Sequence, residues 1–561
     1  MKPKHYIYLI VGIGYIVFFN SFFNGFVLDD LFQIVNNPNI LGWNNLFYFF
    51  SHEIGPYYRP LMLTTFSVFH NLGSPSFFYH FFQVNLHILN TVLVFYFLNS
   101  FLKKEKLSLF LSIVFLVHPI NIESVNYASE LQETYFMFFG LLGLMLLSKA
   151  KTTRKTLILL SLTQILALLS KETAALFILM QILYVWLFLK KHFVKYLFSS
   201  LSIVTLYLSA RLLLFGSIDS HKFQIVIPNS PSAASFTERL INMPGIILFY
   251  IKTFFFPKDL AVSQLWWNKI ITVGNFYLPL LVDISVLFII IFAGSYIYRR
   301  RKEFFPIFIF FGSWFLIGLG AHSQLVSLDW TVAERWFYFS MVGLLGLIGV
   351  CLKGIIIKNQ NTKKVIILCS ILLLVLFSLR TVVRNTNWYS QLALTSHDIA
   401  LSKDSGDLEL NFGLALSDAG RYDEAILHLK RASALMPSGF TVWDALGGAY
   451  AKSGQYEKAV ASYKKAISIN KDYYASYKNL AIVYLYYKKA NDAKTFLEKE
   501  ALIKWPSDAF IWRMLGFADV MRKDNQGALD SFKKAYELSP DEQNLYYYTN
   551  LKENKEVMLR L

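Results

Sequence analysis

Residues 446–466 read LGGAYAKSGQYEKAVASYKKA, and their small and aromatic positions recur along the last third of the chain. Gly413 and Gly447 lie 34 residues apart, and Ala425 and Ala459 keep the same interval. A fixed period of this length indicates stacked structural units, each too small to bury its apolar face alone. We therefore expect the C-terminal part of the chain to fold as a stack of helix pairs.

The period and the residue types identify these units as tetratricopeptide repeats. Further positions of the same pattern are Tyr422, Tyr456, Ala493, Ala528, Pro437, Pro506 and Pro540. We predict a linker and leading helix over 382–406, four repeats over 407–540, and a capping helix over 541–561. Antiparallel helix pairs of this kind stack into a superhelix with a concave surface. Such a groove is expected to bind an extended peptide or another protein.

The sequence before residue 382 has a different composition from the repeats. The whole chain is 55% hydrophobic, 17% aromatic and only 16% charged, against roughly 25% charged residues in soluble proteins. Its net charge of +17 is concentrated in short connections between apolar runs, as expected of cytoplasmic loops in membrane proteins. The charge therefore does not indicate a nucleic-acid partner. Cys351 and Cys369 lie in apolar segments and predict no disulfide framework.

Apolar runs near the length that crosses a bilayer, about 20 residues, recur over 1–381. We predict an all-α membrane domain there with eleven transmembrane helices, at 6–24, 77–101, 107–123, 130–148, 156–170, 173–190, 194–215, 277–297, 304–321, 335–352 and 364–380. The run 240–256 is expected to be re-entrant or interfacial, because only then do all the basic connections fall on the cytoplasmic side.

This topology places the N-terminus in the cytoplasm, as an uncleaved first helix rather than a signal peptide. The repeats then lie on the opposite side: outside a prokaryotic cell membrane, or in the lumen of the endoplasmic reticulum of a eukaryote. The basic connections that decide the orientation are 103–106, 149–155, 190–192, 299–302 and 353–364.

The predicted non-cytoplasmic loops and helix ends carry charged residues that a simple anchor does not need. They are Asp29, Asp30, Arg59, His118, Glu123, Glu130, Lys171, Glu172, Arg211, Lys252, Glu334 and Arg335. A charge within a bilayer costs ~2.5–3.5 kcal/mol even on lenient scales. Carboxylates beside a polar cleft suit general-base chemistry, and cations at the interface suit an anionic lipid head group such as a phosphate. Each residue alone could instead be a helix cap or a solvated turn.

The ordered motifs of the chain resemble the transmembrane and tetratricopeptide-repeat mannosyltransferases. The motifs are FVLDD with NNPNI (26–40), YYRPL (57–61), FHNLG (69–73), FFYHFFQVNLHILN (77–90), FLVHPINIESVNYASE (115–130), LLSKETA (168–174) and VAERWFYF (332–339). The resemblance covers nearly the whole chain. It implies a GT-C-type membrane domain related to protein O-mannosyltransferases, which take a sugar from a polyprenyl phosphate on the non-cytoplasmic face and invert its anomeric centre.

The same resemblance implies roles for individual residues. Asp29 matches the catalytic carboxylate, and Asp30 would support it or shape the acceptor site. Candidate contacts to the donor phosphate are Arg59, Lys171 and Arg335, whereas His118, Glu123, Glu172 and Glu334 match motif positions without an assigned role. Two departures concern the sugar site: Leu28 replaces an aromatic residue before the acidic pair, and the run Glu130–Glu133 replaces a Gly-Arg-Ala-Asp-like segment.

Together these inferences predict a membrane glycosyltransferase that moves mannose or another hexose from a polyprenyl-phosphate donor to a Ser or Thr hydroxyl of a protein. The acceptor protein is expected in the repeat groove, and membrane lipid surrounds the helices. No cofactor is expected, although two loop acids could hold a divalent metal. Two alternatives stay open: a repeat-bearing scaffold for cell-envelope assembly, and a transporter or flippase of lipid-linked sugar, which should carry polar residues near mid-bilayer.

Overall fold

The computed structural model describes residues 3–54, 58–149, 153–216, 234–262, 264–355, 357–402, 404–553, 555 and 557. Tyr57 of the 57–61 motif, parts of the basic connections 149–155 and 353–364, and the end of the predicted capping helix lie outside these residues. The described residues are helical and contain no strand, and Gln264 and Val332 form an isolated antiparallel bridge. The predicted all-α class is confirmed. Two compact units, Met1–Asp404 and Ser405–Leu561, divide the chain.

The first unit consists of apolar helices joined by short turns. In chain order they are α1 Pro3–Phe18, α2 Pro60–Asn71, α3 Ser76–Leu102, α4 Glu105–Val117, α5 Ile122–Asn126, α6 Leu131–Lys149, α7 Arg154–Ser170, α8 Ala175–Phe188, α9 Phe193–Phe215, α10 Phe236–Phe255, α11 Leu278–Arg300, α12 Phe305–Ala321, α13 Phe337–Lys353, α14 Gln360–Asn387 and α15 Gln391–Asp398.

Eight helices within the described residues are long and apolar enough to cross a membrane, so the chain is a multi-pass membrane protein. They are His5–Phe23, Ser76–Leu102, Ala128–Ser148, Lys190–Phe215, Val273–Arg300, Lys302–Ala321, Glu334–Lys353 and Gln360–Asn387. A ninth is possible if Glu105–Val117 and Pro119–Asn126, which meet at 50°, form one broken span. The orientation of these helices stays a prediction.

All eleven predicted spans coincide with helices. Three of them, however, are not continuous helices that are long and apolar enough to cross a membrane. The span predicted at 107–123 bends at Pro119, because proline cannot donate the helical hydrogen bond of its position. Helix α7 has 17 residues, and Glu172–Phe188 is a shorter apolar helix. At 1.5 Å per residue each covers about 26 Å, slightly less than the hydrocarbon core of about 30 Å. The 20-residue helix α10 has Pro244 inside it and is not among the eight.

Close contact between α12 and α13 organises the core of the membrane unit. A Cβ atom on Gly343 would lie 2.5 Å from the backbone nitrogen of Phe315, so only glycine permits this approach of the two helices. The buried indole of Trp314 donates a hydrogen bond to the carbonyl oxygen of Phe339 at 2.9 Å. This packing fixes both ends of the connection 322–336, which contributes several residues to the candidate site.

A buried ion pair fastens the last helix of the first unit. The guanidinium of Arg384 in α14 donates to both carboxylate oxygens of Asp398 in α15, at 2.7 and 2.9 Å. Asp398 also accepts the backbone N–H of Val262 at 2.7 Å. Both side chains of the ion pair are almost completely buried. The helix after the last membrane span is therefore an integral part of the membrane unit.

The second unit is a series of antiparallel helix pairs, as the 34-residue period predicts. Its helices are α16 Gly406–Asp418, α17 Tyr422–Leu435, α18 Phe440–Lys452, α19 Tyr456–Ile469, α20 Tyr474–Tyr486, α21 Ala490–Phe496 with its continuation Leu497–Ala501 and Leu502–Lys504, α22 Ala509–Met521, α23 Asn525–Leu538 and α24 Glu542–Lys552. A Cβ atom on Gly447 would lie 2.9 Å from the ring of Tyr463. The repeated glycine therefore allows the two helices of a pair to pack closely.

Candidate active site

The loop after α1 holds Asp29 through its backbone. Leu28 has a φ of +51°, a left-handed conformation that is uncommon for a residue with a side chain and occurs often at functional sites. Its N–H donates to the side-chain oxygen of Gln391 at 2.7 Å. The next N–H, that of Asp29, donates to the phenol oxygen of Tyr127 at 2.8 Å. Contacts from two distant segments thus determine where the Asp29 carboxylate lies.

Asp30 ties the same loop to the start of α6. Its carboxylate accepts the backbone N–H of Ser129 at 2.7 Å and that of Val27 at 3.1 Å. The side chain is completely buried, and burial raises the pKa of Asp30 to about 7 against the opposing effect of these hydrogen bonds. Asp30 does not line the cavity described below. The geometry suits a residue that positions Asp29 rather than one that contacts a substrate.

Asp29 opens into a cavity of about 460 Å³, a volume in the range of small-molecule sites. The charged residues that line it are Asp29, Arg59, Glu130, Lys171, Glu172, Arg211, Asp329 and Arg335. The resemblance gives nine residues a role or a motif position, and five of them meet at this cavity: Asp29, Arg59, Lys171, Glu172 and Arg335. They come from segments separated by more than 300 residues.

Arg335 is held by two carboxylates. Its backbone N–H donates to Glu123 at 3.0 Å, and its guanidinium forms a direct ion pair with the same carboxylate. Its Nε lies 3.2 Å from Glu130. Glu123 is completely buried and does not line the cavity, so it anchors Arg335 from outside the cavity wall. A guanidinium has five N–H donors, and the two carboxylates engage only part of them.

The other two buried cations are arranged in the same way. Lys171, which is 7% exposed, forms an ion pair with Glu133. Arg211, which is 2% exposed, lies 3.0 Å from Glu53 and 3.5 Å from Glu172. A buried charge is tolerated when it is paired and hydrogen-bonded. Glu133 and Glu53 thus fix two cations at the cavity without lining it themselves.

The electrostatic surroundings of Asp29 favour a carboxylate that can take up a proton. Asp29 retains accessible surface towards the cavity, yet the surrounding protein desolvates it. This desolvation, followed by the negative charge of Glu130, raises the pKa of Asp29 above its ordinary value, against smaller opposing effects of Arg335, Tyr127 and Arg59. A carboxylate with a raised pKa is a stronger base than an exposed one.

His322 and Trp336 form an uncharged part of the same cavity wall. The ring nitrogen Nδ1 of His322 lies 3.0 Å from the carbonyl oxygen of Gly318 and donates to it, which leaves Nε2 as an acceptor. Burial, followed by the charge of Lys171, lowers the pKa of His322 to about 4, so the ring is neutral. It stacks on Trp336 with ring centres 5.6 Å apart.

Four predicted site residues do not line the cavity: Asp30, Glu123, His118 and Glu334. His118 is completely buried: its Nε2 donates to the carbonyl oxygen of Phe254 at 2.8 Å, and its Nδ1 accepts the N–H of Ile120 at 3.1 Å. It therefore fixes the break between α4 and α5 against the end of α10. Glu334 is also buried and is not among the cavity-lining residues. Within the described part of the chain, no group of three or more His, Cys, Asp or Glu side chains could hold a metal ion.

Several residues of the site carry no sequence signal that would assign them a role. The pairing of Glu133 with Lys171 joins positions 38 residues apart, one on α6 and one directly after the end of α7. Tyr127 lies inside a recognised motif, but only the structure places its hydroxyl against the backbone of Asp29. His322 stands at the end of an apolar helix, where a histidine is usually read as a cap. Arg211 stands out in the sequence only as a charge beside an apolar run, and Glu130 only as part of a run that departs from the family pattern.

The comparisons with known proteins agree with the two-part architecture. A family model described as "TPR repeat" matches residues 447–486. Protein O-mannosyl-transferase F38B6.6 of Caenorhabditis elegans is 25% identical over 450 residues, 77% of this chain and 62% of the relative. Protein O-mannosyl-transferase TMTC3 of Mus musculus is 23% identical over 82% of this chain and 54% of the relative. The chain is thus similar to protein O-mannosyl-transferases of the TMTC type over most of its length, and it carries tetratricopeptide repeats.

A third relative matches this chain with higher identity over a shorter stretch. Protein O-mannosyl-transferase Tmtc2 of Drosophila melanogaster is 35% identical over 122 residues, which is 21% of this chain and 13% of the relative. The chain thus spans less than two thirds of the length of each of these relatives. Among solved structures, the peptide-binding repeat protein YrrB is 16% identical, covers 29% of this chain and 81% of its own, and has a TM-score of 0.25. MamA is 22% identical, covers 27% and 86%, and has the same TM-score.

Proposed function

We propose that this chain is an inverting membrane glycosyltransferase. It transfers mannose or another hexose from a polyprenyl-phosphate donor to the hydroxyl of a Ser or Thr residue in a protein. One observation carries the proposal: Asp29 opens into the same cavity as Arg59, Lys171, Arg211 and Arg335. A carboxylate and a set of cations are the two kinds of group that transfer from a sugar phosphate requires. The names of the relatives, protein O-mannosyl-transferases, support the same reaction.

In the proposed reaction Asp29 is the general base. The acceptor oxygen attacks the anomeric carbon while its proton passes to a carboxylate oxygen of Asp29. The new carbon–oxygen bond forms as the bond between the anomeric carbon and the phosphate oxygen breaks, and the bonding electron pair leaves with the phosphate. The raised pKa of Asp29 suits a group that must hold a proton when the step is complete. A phosphate needs no proton to leave, so one carboxylate is sufficient.

The cations stabilise the charge that grows on the departing phosphate. Preorganised donors aimed at a developing anion contribute strongly to catalysis in a site that excludes water. Arg335 is the best-held of them, because Glu123 bonds both its backbone and its guanidinium. Lys171 is fixed by Glu133 in a similar way. We assign the donor phosphate to these two residues, with Arg59 and Arg211 as further contacts.

His322 and Trp336 are assigned to the sugar. A neutral histidine whose Nδ1–H is already engaged by Gly318 presents an acceptor to a sugar hydroxyl. Pyranose rings bind aromatic faces through their apolar C–H groups, and Trp336 adds such a ring to the polar cavity. The repeats of the second unit provide the groove expected to bind the acceptor protein. That function follows from the general property of stacked helical repeats, whose concave surfaces bind partners.

The deciding experiment uses the full chain, purified in detergent or reconstituted in nanodiscs. It is incubated with a radiolabelled polyprenyl-phosphate-mannose and a Ser- and Thr-containing peptide. We expect label on the peptide and stoichiometric release of lipid phosphate. Release of lipid phosphate with no label on any peptide or glycan acceptor would overturn the transferase proposal. Movement of labelled lipid between vesicles without bond cleavage would instead support transport.

A further inference from the structure

A second, smaller cavity of about 220 Å³ lies beside Asp29. Asp29 and Arg59 line both cavities, whereas all other lining residues of the small one are different from those of the large one. They are Phe32, Gln33, Ile54, Met62 and Leu63. The catalytic carboxylate therefore stands at the boundary between a large charged cavity and a small, mostly apolar one.

Gln33 is the polar residue that lines the small cavity and not the large one. It belongs to the π-helical turn Leu31–Val35, directly after the acidic pair, and such turns are frequent at functional sites. Its side chain is 6% exposed, and its oxygen Oε1 has no hydrogen-bond partner among the described residues. Buried polar atoms are nearly always hydrogen-bonded, and each exception in a native structure needs an explanation.

We propose that the small cavity is the subsite for the acceptor polypeptide, and that the amide of Gln33 hydrogen-bonds the peptide backbone beside the acceptor Ser or Thr. This inference rests on the proposed function. Inverting substitution brings the acceptor oxygen to the face of the sugar opposite the leaving phosphate. The base that takes the acceptor proton must then lie where the acceptor site meets the donor site. Asp29 has this position because it lines both cavities.

The chemistry of the small cavity indicates a peptide rather than a sugar acceptor. A glutamine side chain offers one carbonyl acceptor and an NH₂ donor, the same pair of groups that a peptide backbone presents. Apart from Asp29, Arg59 and Gln33, the walls are hydrophobic: Phe32, Ile54, Met62 and Leu63. A carbohydrate acceptor would present several hydroxyls, and those that face the apolar walls would be left without partners at a cost in free energy. The small volume and these walls favour a small apolar side chain next to the acceptor residue.

The test measures KM for the acceptor and for the donor separately in the full chain. The variant Gln33→Met keeps the length of the side chain and removes the amide. We expect KM for a Ser-containing peptide to rise about tenfold, the effect of losing one neutral hydrogen bond, while KM for the polyprenyl-phosphate-mannose stays unchanged. The matched control Gln360→Met changes an exposed glutamine of the membrane unit, at the first residue of α14, and should alter neither constant.

A peptide series tests the same inference without any variant, so a poorly folded Gln33→Met protein would not prevent the test. Wild-type protein should prefer Ala over Asp or Lys beside the acceptor Ser, and N-methylation of a neighbouring amide should raise KM about tenfold. An unchanged acceptor KM in both experiments would overturn the inference while the proposed function stands. A wild-type protein that accepts a glycan but no peptide would also overturn it. Absence of transfer from any donor would instead remove the proposed function.

Discussion

The backbone N–H of Asp29 donates a hydrogen bond to the phenol oxygen of Tyr127 at 2.8 Å. Tyr127 lies between α5 and the start of α6, and its ring is 5.6 Å from that of Trp388. The loop after the first helix is thus fixed to a part of the core 98 residues away. Since Leu28 is in the left-handed region, the loop depends on such contacts to keep Asp29 in place.

We expect Tyr127→Phe to lower kcat by about tenfold, with little change in KM for the donor. Phenylalanine keeps the ring packing but cannot accept the N–H of Asp29, so the loop loses one neutral hydrogen bond. Steady-state kinetics with varied donor provide the measurement. Tyr8→Phe, at an exposed position on α1, is the matched control. An unchanged kcat would show that this contact does not position Asp29.

Asp29→Asn should reduce transfer by roughly 10²–10⁴-fold, the usual contribution of a general base. The amide keeps the size of the side chain but cannot take up the acceptor proton. Binding of the donor, followed by calorimetry with the full chain in nanodiscs, should persist, because the cations of the cavity are unchanged. A variant with wild-type turnover would exclude Asp29 as the base.

Glu130→Gln should move the acidic limb of the pH profile of kcat/KM to lower pH. Glu130 raises the pKa of Asp29, and Arg335 lowers it. Removal of the Glu130 charge takes away a raising effect and also frees Arg335 from a carboxylate 3.2 Å away. Both changes lower the pKa of Asp29, so the base stays deprotonated to a lower pH. Glu130→Asp, which keeps the charge, should leave the limb nearly where it is in the wild type. A shift to higher pH in Glu130→Gln would contradict the assignment.

His322→Ala should raise KM for the donor without changing KM for the acceptor. The effect should be about tenfold if Nε2 accepts one sugar hydroxyl. Donors that lack a single hydroxyl identify the contact. The wild type should use one of these deoxy-sugars poorly, whereas the variant should use it as well as it uses the natural sugar. Equal discrimination by both proteins, across the whole series of deoxy-sugars, would place His322 outside the sugar site.

Asp398→Asn should destabilise the protein by roughly 3–5 kcal/mol, since it leaves Arg384 as a buried charge without its counterion. The pKa of Asp398 is held below its ordinary value, because Arg384 and His397 outweigh the effect of burial. Its contribution to stability is therefore present above the pKa of the unfolded state and is lost as the pH falls through the lower folded value. Thermal unfolding at pH 7 should show a clear drop in Tm, whereas Asp418→Asn, at an exposed position, should not. Equal Tm values would argue against the ion pair as a structural clamp.

The periodic features of the chain were predictable from the sequence, because each depends on residues close together along it. Gly447 and Ala459 identify a repeat unit, and apolar runs identify spans before any tertiary contact is known. Three of the eleven predicted spans are not among the eight long apolar helices of the described residues, because apolarity reveals neither where a helix bends, as at Pro119, nor where it ends, as in the 17-residue helix α7. The motifs around Asp29 and Arg335 drew attention to residues that do line one cavity.

The partners of those residues were not predictable, since they depend on which helices become neighbours. Lys171 and Glu133 each stand in a segment that the sequence singles out, but only the structure shows that they pair, and this contact explains why both charges are buried. His118 shows the opposite case. It lies in a recognised motif, yet its ring donates a hydrogen bond to the carbonyl oxygen of Phe254 and does not line the cavity. Gln33 has no distinguishing pattern at all, and it stands out only because its oxygen is buried without a partner.

Because Asp29 lies between two cavities, its position also affects how much of the donor is lost to hydrolysis. Any hydroxyl that enters the small cavity is within reach of the base, and this includes water. The walls made by Phe32, Ile54, Met62 and Leu63 offer a water molecule no hydrogen bonds, so water is held there only by the polar side that Asp29, Gln33 and Arg59 provide. A peptide that fills the cavity removes the competing nucleophile. In the proposed reaction, the apolar lining that selects the acceptor thus also limits hydrolysis of the sugar donor.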